Sequence, residues 1–329
     1  MAKLCTQISS VCLATLVLVQ PAVAQAAAEE PALDKLFETG KALFDQFAPE
    51  EIKQEYEFPS KAQWDEFAAR LQRSLQSEDF TELLAHEDEA RTALQALRAL
   101  PGYEDYADWL EERIDYIEAA KDVPAVVPSP IPKTAPDLAP KTNPVLPAPS
   151  RSAESFVPNY QLWLQRMKER PLPGQATTLM PTLRAAFVAE GVPPELAWIA
   201  EAESTFNPSA RSPVGAKGLF QFMPDTAKSL GLSTFLPDER TDVKKSAGAA
   251  AKYLRTLYGK FGDWPLALAA YNAGEGRVRR LLKEKNAATF AEIAGSLPSE
   301  TRMYVPKVCA TIAVRAGMSP DKIPSPRAS

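Results

Sequence analysis

The chain has 329 residues, 45% of them hydrophobic, and a formal net charge of −5, which gives room for about two domains with packed cores. Three cysteines and a single histidine exclude a disulfide-stapled secreted domain and offer no metal-binding cluster. The compositional deviation is proline, at 30 residues, roughly twice the usual share.

The N-terminus reads as an export signal over residues 1–24. Lys3 supplies the positive start, Cys12 to Val19 a short apolar run, and Ala22-Val23-Ala24 or Ala24-Gln25-Ala26 a small-residue cleavage pattern. The run is well short of the ~20 apolar residues that span a bilayer, so cleavage is expected and retention as an anchor is the alternative. Cleavage removes Cys5 and Cys12. Cys309, within YVPKVCATIAV, is then a lone thiol expected to pack as a small apolar residue.

Residues 25–122 read as a separate acidic helical domain. Leu33, Leu36, Phe37, Gly40, Leu43, Phe44 and Phe47 form one helical stripe, and Trp64, Phe67, Ala68, Leu71 and Leu75 a second. The third comprises Tyr103, Tyr106, Ala107, Leu110, Ile114 and Ile117. This region sets 25 acidic side chains against 10 basic ones, a net charge of about −15. The stretch that follows, residues 123–151, has no glycine and a proline every few positions. It favours extended polyproline geometry and reads as a semi-rigid linker.

From residue 152 to 329 the balance reverses, with 23 basic against 16 acidic side chains, a net charge of about +7. A basic domain suggests an anionic ligand. Nucleic acid is not expected, since neither an aromatic-basic motif nor zinc spacing is present and the chain reads as exported. Helices are expected from Pro194 through Ser204, over Ala216–Leu230, over Lys244–Tyr258, over Trp264–Asn272 and over Ser299–Ala316. The short STFLP stretch is the one candidate strand. The fold class expected is all-α, with no metal and no cofactor.

Two glutamates stand two positions apart in the first of these helices. Leu196, Ile199, Ala200 and Glu203 fall at i, i+3, i+4 and i+7, so Glu203 continues an apolar stripe. A carboxyl group there is partly desolvated, which raises its pKa and suits a general acid. Glu201 points elsewhere and is expected to be a solvated surface charge.

Four further pieces stand in order. They are ESTFNP (203–208), SPVGAKGLFQFMP (212–224), AYNAG (270–274) and ETRMYVPKV (300–308). Together they resemble the catalytic domain of soluble lytic transglycosylases, relatives of goose-type lysozyme, and look most like the membrane-bound type D subgroup. The resemblance covers about a third of the chain. It implies a lysozyme-like helical fold and cleavage of the MurNAc-β-1,4-GlcNAc bond of peptidoglycan with formation of 1,6-anhydro ends. Glu203 is then the single catalytic acid and later base. Ser212, Gln221, Tyr271, Asn272, Glu300 and Tyr304 match the family's substrate-binding positions. For Tyr271 an aromatic packing role competes, and for Glu300 a role as the acid of a helix start. Phe220 stands where Met is commoner, and Ala202 where a polar residue often precedes the acid.

Two other functions stay open at this point. One is a hydrolytic muramidase of the same fold, which would need a second carboxylate to activate water, with Asp225 and Asp263 as candidates. The other is a scaffold that binds glycan without cutting it. The partners expected are peptidoglycan strands, with a possible protein partner through the acidic domain. That domain could also fold back over the basic one and restrain it electrostatically. The location expected is the periplasm or cell envelope, with no stable membrane span after cleavage.

Overall fold

The computed structural model describes residues 104–123, 156–212 and 215–327, together with scattered positions between 73 and 98. The leader, the stripes beginning at Leu33 and Trp64, and residues 124–151 of the linker lie outside them. Among the described residues the architecture is all-α, as expected, and the only β features are isolated bridges joining Lys217 to Arg211 and Phe222.

The helices are α1 (Glu104–Lys121), α2 (Tyr160–Glu169), α3 (Ala176–Ala189), α4 (Ile199–Ser204), α5 (Pro224–Ser229), α6 (Val243–Phe261), α7 (Trp264–Ala273), α8 (Glu275–Lys285), α9 (Phe290–Ala294) and α10 (Ser299–Ala316). A 3-10 turn, Pro194–Trp198, leads into α4. Asp242 starts α6 by accepting from the Lys245 amide, and Asp263 starts α7 by accepting from the Leu266 amide. Each occupies an N-cap, where a side-chain oxygen satisfies an otherwise orphaned donor.

α10 is the axis of the structure. Every residue from Met303 to Ile312 is buried, the pattern of a helix covered on all sides. It packs against α1, α2, α4 and α7. Trp163 and Met167 of α2 are fully buried in the same core, as are Leu254 and Leu257 of α6. Cys309 is buried there too, as its surroundings in the sequence suggest.

α1 joins this core despite preceding the linker. Tyr116, Ala119 and Ala120 belong to the main cluster. Ala107, Leu110, Ile114 and Ile117 of the expected stripe are buried, three of them in a second cluster with Ala90. Between α1 and the basic region lies a buried charge network. Lys307 is wholly buried and pairs with Glu112 and, at 2.8 Å, with Asp115. Its ammonium also lies 4.8 Å from the Tyr116 ring centre. Arg170 reaches Glu112 at 3.2 Å and Asp115 at 2.6 Å, and Arg166 reaches Asp115 and Glu118 at 3.0 Å each. Burial alone would raise the Asp115 pKa, but the charges of Lys307 and Arg170 hold it well below the usual carboxylate range. The boundary drawn at residue 122 on charge therefore places α1 apart from a core it shares. The acidic side chains Glu112, Asp115 and Glu118 of α1 meet basic ones of the later region across a packed interface.

Two local expectations give way. Residues 216–222 form a looped turn and not the start of a helix, and the helix in that region is confined to Pro224–Ser229. Residues 233–237 form no strand. The loop is fixed by backbone geometry that a helix excludes. Gly215, Gly218 and Gln221 have φ of 88°, 81° and 46°. At Gly218 a Cβ would stand 1.9 Å from the Arg240 carbonyl oxygen, so the close approach demands glycine.

Candidate active site

α4 carries Glu203 one residue before its end. The chain then turns through two successive left-handed residues, Thr205 at φ 50° and Phe206 at φ 62°. That conformation is costly for residues other than glycine and is tolerated where the surroundings over-determine it. Phe206 is fully buried, edge-on to Trp198 at 5.5 Å. The turn thus anchors the helix end that presents the carboxyl group.

Glu203 is only partly accessible, and its surroundings penalise charge. Desolvation pushes its pKa up to about 7, against the opposing pull of a hydrogen bond from Tyr304 and the charge of Arg113. Tyr304, on α10 and 1% exposed, donates its hydroxyl to Glu203 Oε1 at 2.5 Å. Glu300, one turn earlier on α10, accepts from Arg113 Nη2 at 2.9 Å. Its charge acts on Glu203 in the upward direction.

Glu201 corrects the sequence reading. It is fully buried and not a surface charge. Arg315, near the end of α10, grips it with two bonds, Nε to Oε2 at 3.0 Å and Nη2 to Oε1 at 2.8 Å. The two glutamates do point apart, but the second direction leads into protein. Arg315 also donates to the Arg170 and Pro171 carbonyls, so the ion pair ties α4, α10 and the end of α2 together.

The other predicted positions fall into two groups. Tyr304 touches Glu203, and the charge of Glu300 acts on Glu203. Burial lifts the Tyr271 pKa well above its ordinary value, aided by the Glu203 charge. The Tyr271 hydroxyl donates to the Phe220 carbonyl at 2.9 Å. Asn272 Oδ1 accepts from Thr301 at 2.7 Å, tying α7 to α10. Ser212 and Gln221 spend their hydrogen bonds within the loop. Ser212 Oγ accepts from the Ala216 amide at 2.9 Å, and Gln221 Nε2 donates to the Gly218 and Ala210 carbonyls at 2.9 and 3.3 Å.

Several residues that hold the site escaped sequence reasoning. Ser204 donates to the Leu219 carbonyl at 3.0 Å, so Ser204 and Tyr271 grip adjacent carbonyls of the GLFQ loop from α4 and α7. Arg240, 2% exposed, braces that loop from behind through the Gly215 and Phe222 carbonyls at 2.8 and 3.1 Å. It is held in turn by Asp238, whose pKa these contacts bring down to about 2 against the opposing effect of burial. Arg113 lies 187 positions from its partner. The one local hint for any of these is the serine directly following Glu203.

The two carboxylates proposed for water activation differ in setting. The Asp225 side chain is fully exposed, and Asp263 caps α7. Among the described residues no helix is long and apolar enough to cross a membrane.

Residues 183–294 match the family model described as Transglycosylase SLT domain. Membrane-bound lytic murein transglycosylase D of Escherichia coli (strain K12) is 42% identical over 123 residues, 36% of this chain and 27% of the relative. Soluble lytic murein transglycosylase of Salmonella typhimurium is also 42% identical over 123 residues, 34% of this chain and 19% of the relative. The chain thus spans about a quarter or less of the length of these curated relatives. Among solved structures, the 70-kDa soluble lytic transglycosylase in complex with bulgecin A aligns at TM-score 0.41 and 19% identity, over 91% of this chain and 59% of that one, an overlap too loose to bear on the fold. The resemblance read from the sequence holds over residues 183–294, which match the Transglycosylase SLT domain and take in its first three motifs, while the fourth, ETRMYVPKV at 300–308, lies beyond that match.

Proposed function

We propose that the protein is a peptidoglycan lytic transglycosylase that cleaves the MurNAc-β-1,4-GlcNAc bond and leaves a 1,6-anhydroMurNAc end. The observation that carries the reading is Glu203, a carboxyl group with its pKa raised to about 7 by burial within a matched family region. At neutral pH a large fraction of it holds a proton, as a general acid requires.

Glu203 gives that proton to the glycosidic oxygen as the bond to C1 breaks. The substrate's N-acetyl group stabilises the positive charge at C1. The C6 hydroxyl of the muramoyl ring then closes on C1 and returns its proton to Glu203. The hydroxyl of Tyr304 supports the carboxylate in between, since it can donate to Oε1 throughout. One carboxyl group therefore suffices, where most glycosidases need two. The other carboxylates that act on Glu203 are committed elsewhere, Glu300 to Arg113 and Glu112 to Lys307, Arg170 and Thr205. This favours the transglycosylase over a hydrolytic muramidase. Export to the periplasm or envelope, where the substrate lies, is part of the same proposal, as are peptidoglycan strands as its partner.

Mass spectrometry of muropeptides released from purified sacculi tests it. Anhydro ends, about 18 mass units lighter than hydrolysed ones because no water is added, are the expected product. Reducing muramic acid ends would favour the muramidase, and no release the glycan-binding scaffold.

A further inference from the structure

Helix α1 lies outside the matched family region, yet it delivers a guanidinium to the site. Arg113 Nη2 stands 2.9 Å from Glu300 Oε1, and the two side chains are 16% and 17% exposed. The guanidinium carbon also lies 4.9 Å from the Trp109 ring centre. The Arg113 Nε is buried and has no acceptor among the described residues. Docking of α1 has other holds besides this residue. Glu112, Asp115 and Glu118 already hold the basic side of the interface, and Tyr116, Ala119 and Ala120 fill the core. Glu300 stands one turn before Tyr304, whose hydroxyl bonds Glu203, so the Arg113–Glu300 pair lies beside the acid.

We propose that Arg113 is a positioning residue for the acid: paired with Glu300, it fixes the net charge that Glu203 meets, so the helix ahead of the Pro-rich segment is a working part of the site. This rests on the reading of Glu203 as the acid. The groups that act on or face Glu203 are Tyr304 and Glu300 of α10, Tyr271 of α7, and Glu112, Tyr116 and Arg113 of α1. Arg113 is the cation among them, and it favours ionised Glu203. Without it, Glu203 keeps its proton to higher pH. An unpaired Glu300 would push in the same direction, since its charge also raises Glu203. The pairing therefore lets one carboxyl group both hold a proton near neutrality and release it.

The test is the titration of the Glu203 carboxyl carbon by 13C NMR in the full-length protein, with the signal assigned by its loss in Glu203→Gln. No substrate is needed, so the result stands whether or not the chain cuts peptidoglycan. Arg113→Gln is expected to move the Glu203 midpoint up by about one pH unit. Arg113→Lys, which keeps the charge, is expected to move it by less than half as much. The alkaline limb of sacculus clearance should follow the same order. A midpoint unchanged in Arg113→Gln would reduce Arg113 to a structural brace and overturn the proposal. Should that variant fail to fold, Glu300→Gln reads the same coupling from the other side. Its Glu203 is expected to titrate lower than in the wild type, and an unmoved midpoint there is equally fatal. A shifted titration with no clearance by any variant would leave this proposal standing and sink the transglycosylase.

Discussion

Glu201 and Glu203 share one turn and a half of α4, and both are shielded from water, yet their surroundings differ in kind. Glu201 meets a guanidinium in a two-bond grip. Glu203 meets the Tyr304 phenol in a desolvated setting, and the guanidinium whose charge acts on it is paired to Glu300. Burial opposite a fixed cation makes a structural tie. Burial opposite a neutral donor makes a carboxyl group that can hold or lose a proton near neutral pH. The location of a carboxylate in the core thus says little about its job until its partner is known.

The comparison can be broken most sharply at Glu203. Glu203→Gln is expected to lower sacculus clearance by roughly 10²–10⁴-fold, with the unfolding transition at neutral pH preserved or raised, because Gln resembles the protonated side chain. Glu201→Gln should do the reverse. It leaves Arg315 buried without its anion and is expected to cost about 3–5 kcal/mol of stability in chemical denaturation, while the molecules that remain folded keep most of their activity. Replacing both partners, as Glu201→Met with Arg315→Met, should recover much of that loss, since an apolar pair carries no unpaired charge.

The contrast also sets a pH dependence. The Glu203 pKa rises from the model-compound value of 4.5 to about 7 in the folded state. The native state therefore binds more protons than the unfolded state between those values, and stability falls as pH rises through that window. The stabilisation is fully present below about pH 4.5 and lost above about pH 7, an effect of about 3 kcal/mol. Wild type should lose this amount relative to Glu203→Gln in urea titrations run across the window, and parallel curves would refute the raised pKa. A smaller effect is expected for Tyr304→Phe. It removes a bond to the ionised acid worth about 1.5–3 kcal/mol, so clearance should fall by roughly 10- to 150-fold while its alkaline limb moves upward.

Helices with an uninterrupted stripe were legible from sequence. The last helix has the expected bounds, Ser299–Ala316, and the expected Lys244–Tyr258 lies within Val243–Phe261. Leu196, Ile199 and Ala200 are fully buried, but so are Ala197 and Glu201, so burial along this segment does not single out the Glu203 face. What was not legible depends on residues distant in the chain. Arg315 lies 114 positions from Glu201 and Arg113 lies 187 positions from Glu300, and no local pattern announces either pairing. The loop at 216–222 was misread because alanine, leucine and phenylalanine favour helix locally, while the contact of Gly218 with Arg240 decides the backbone. The acidic character of α1 was plain, but charge alone could not show that its partners are the basic residues of the same core.

The most direct measurement is the titration of the Glu203 carboxyl group itself in the wild-type protein. A 13C carboxyl signal that vanishes in Glu203→Gln and titrates with a midpoint near 7 is the predicted result, with the alkaline limb of sacculus clearance at the same pH. A midpoint near 4.5, the value of an ordinary solvated glutamate, would contradict the account, because Glu203 would then be an anion at neutral pH with no proton to give.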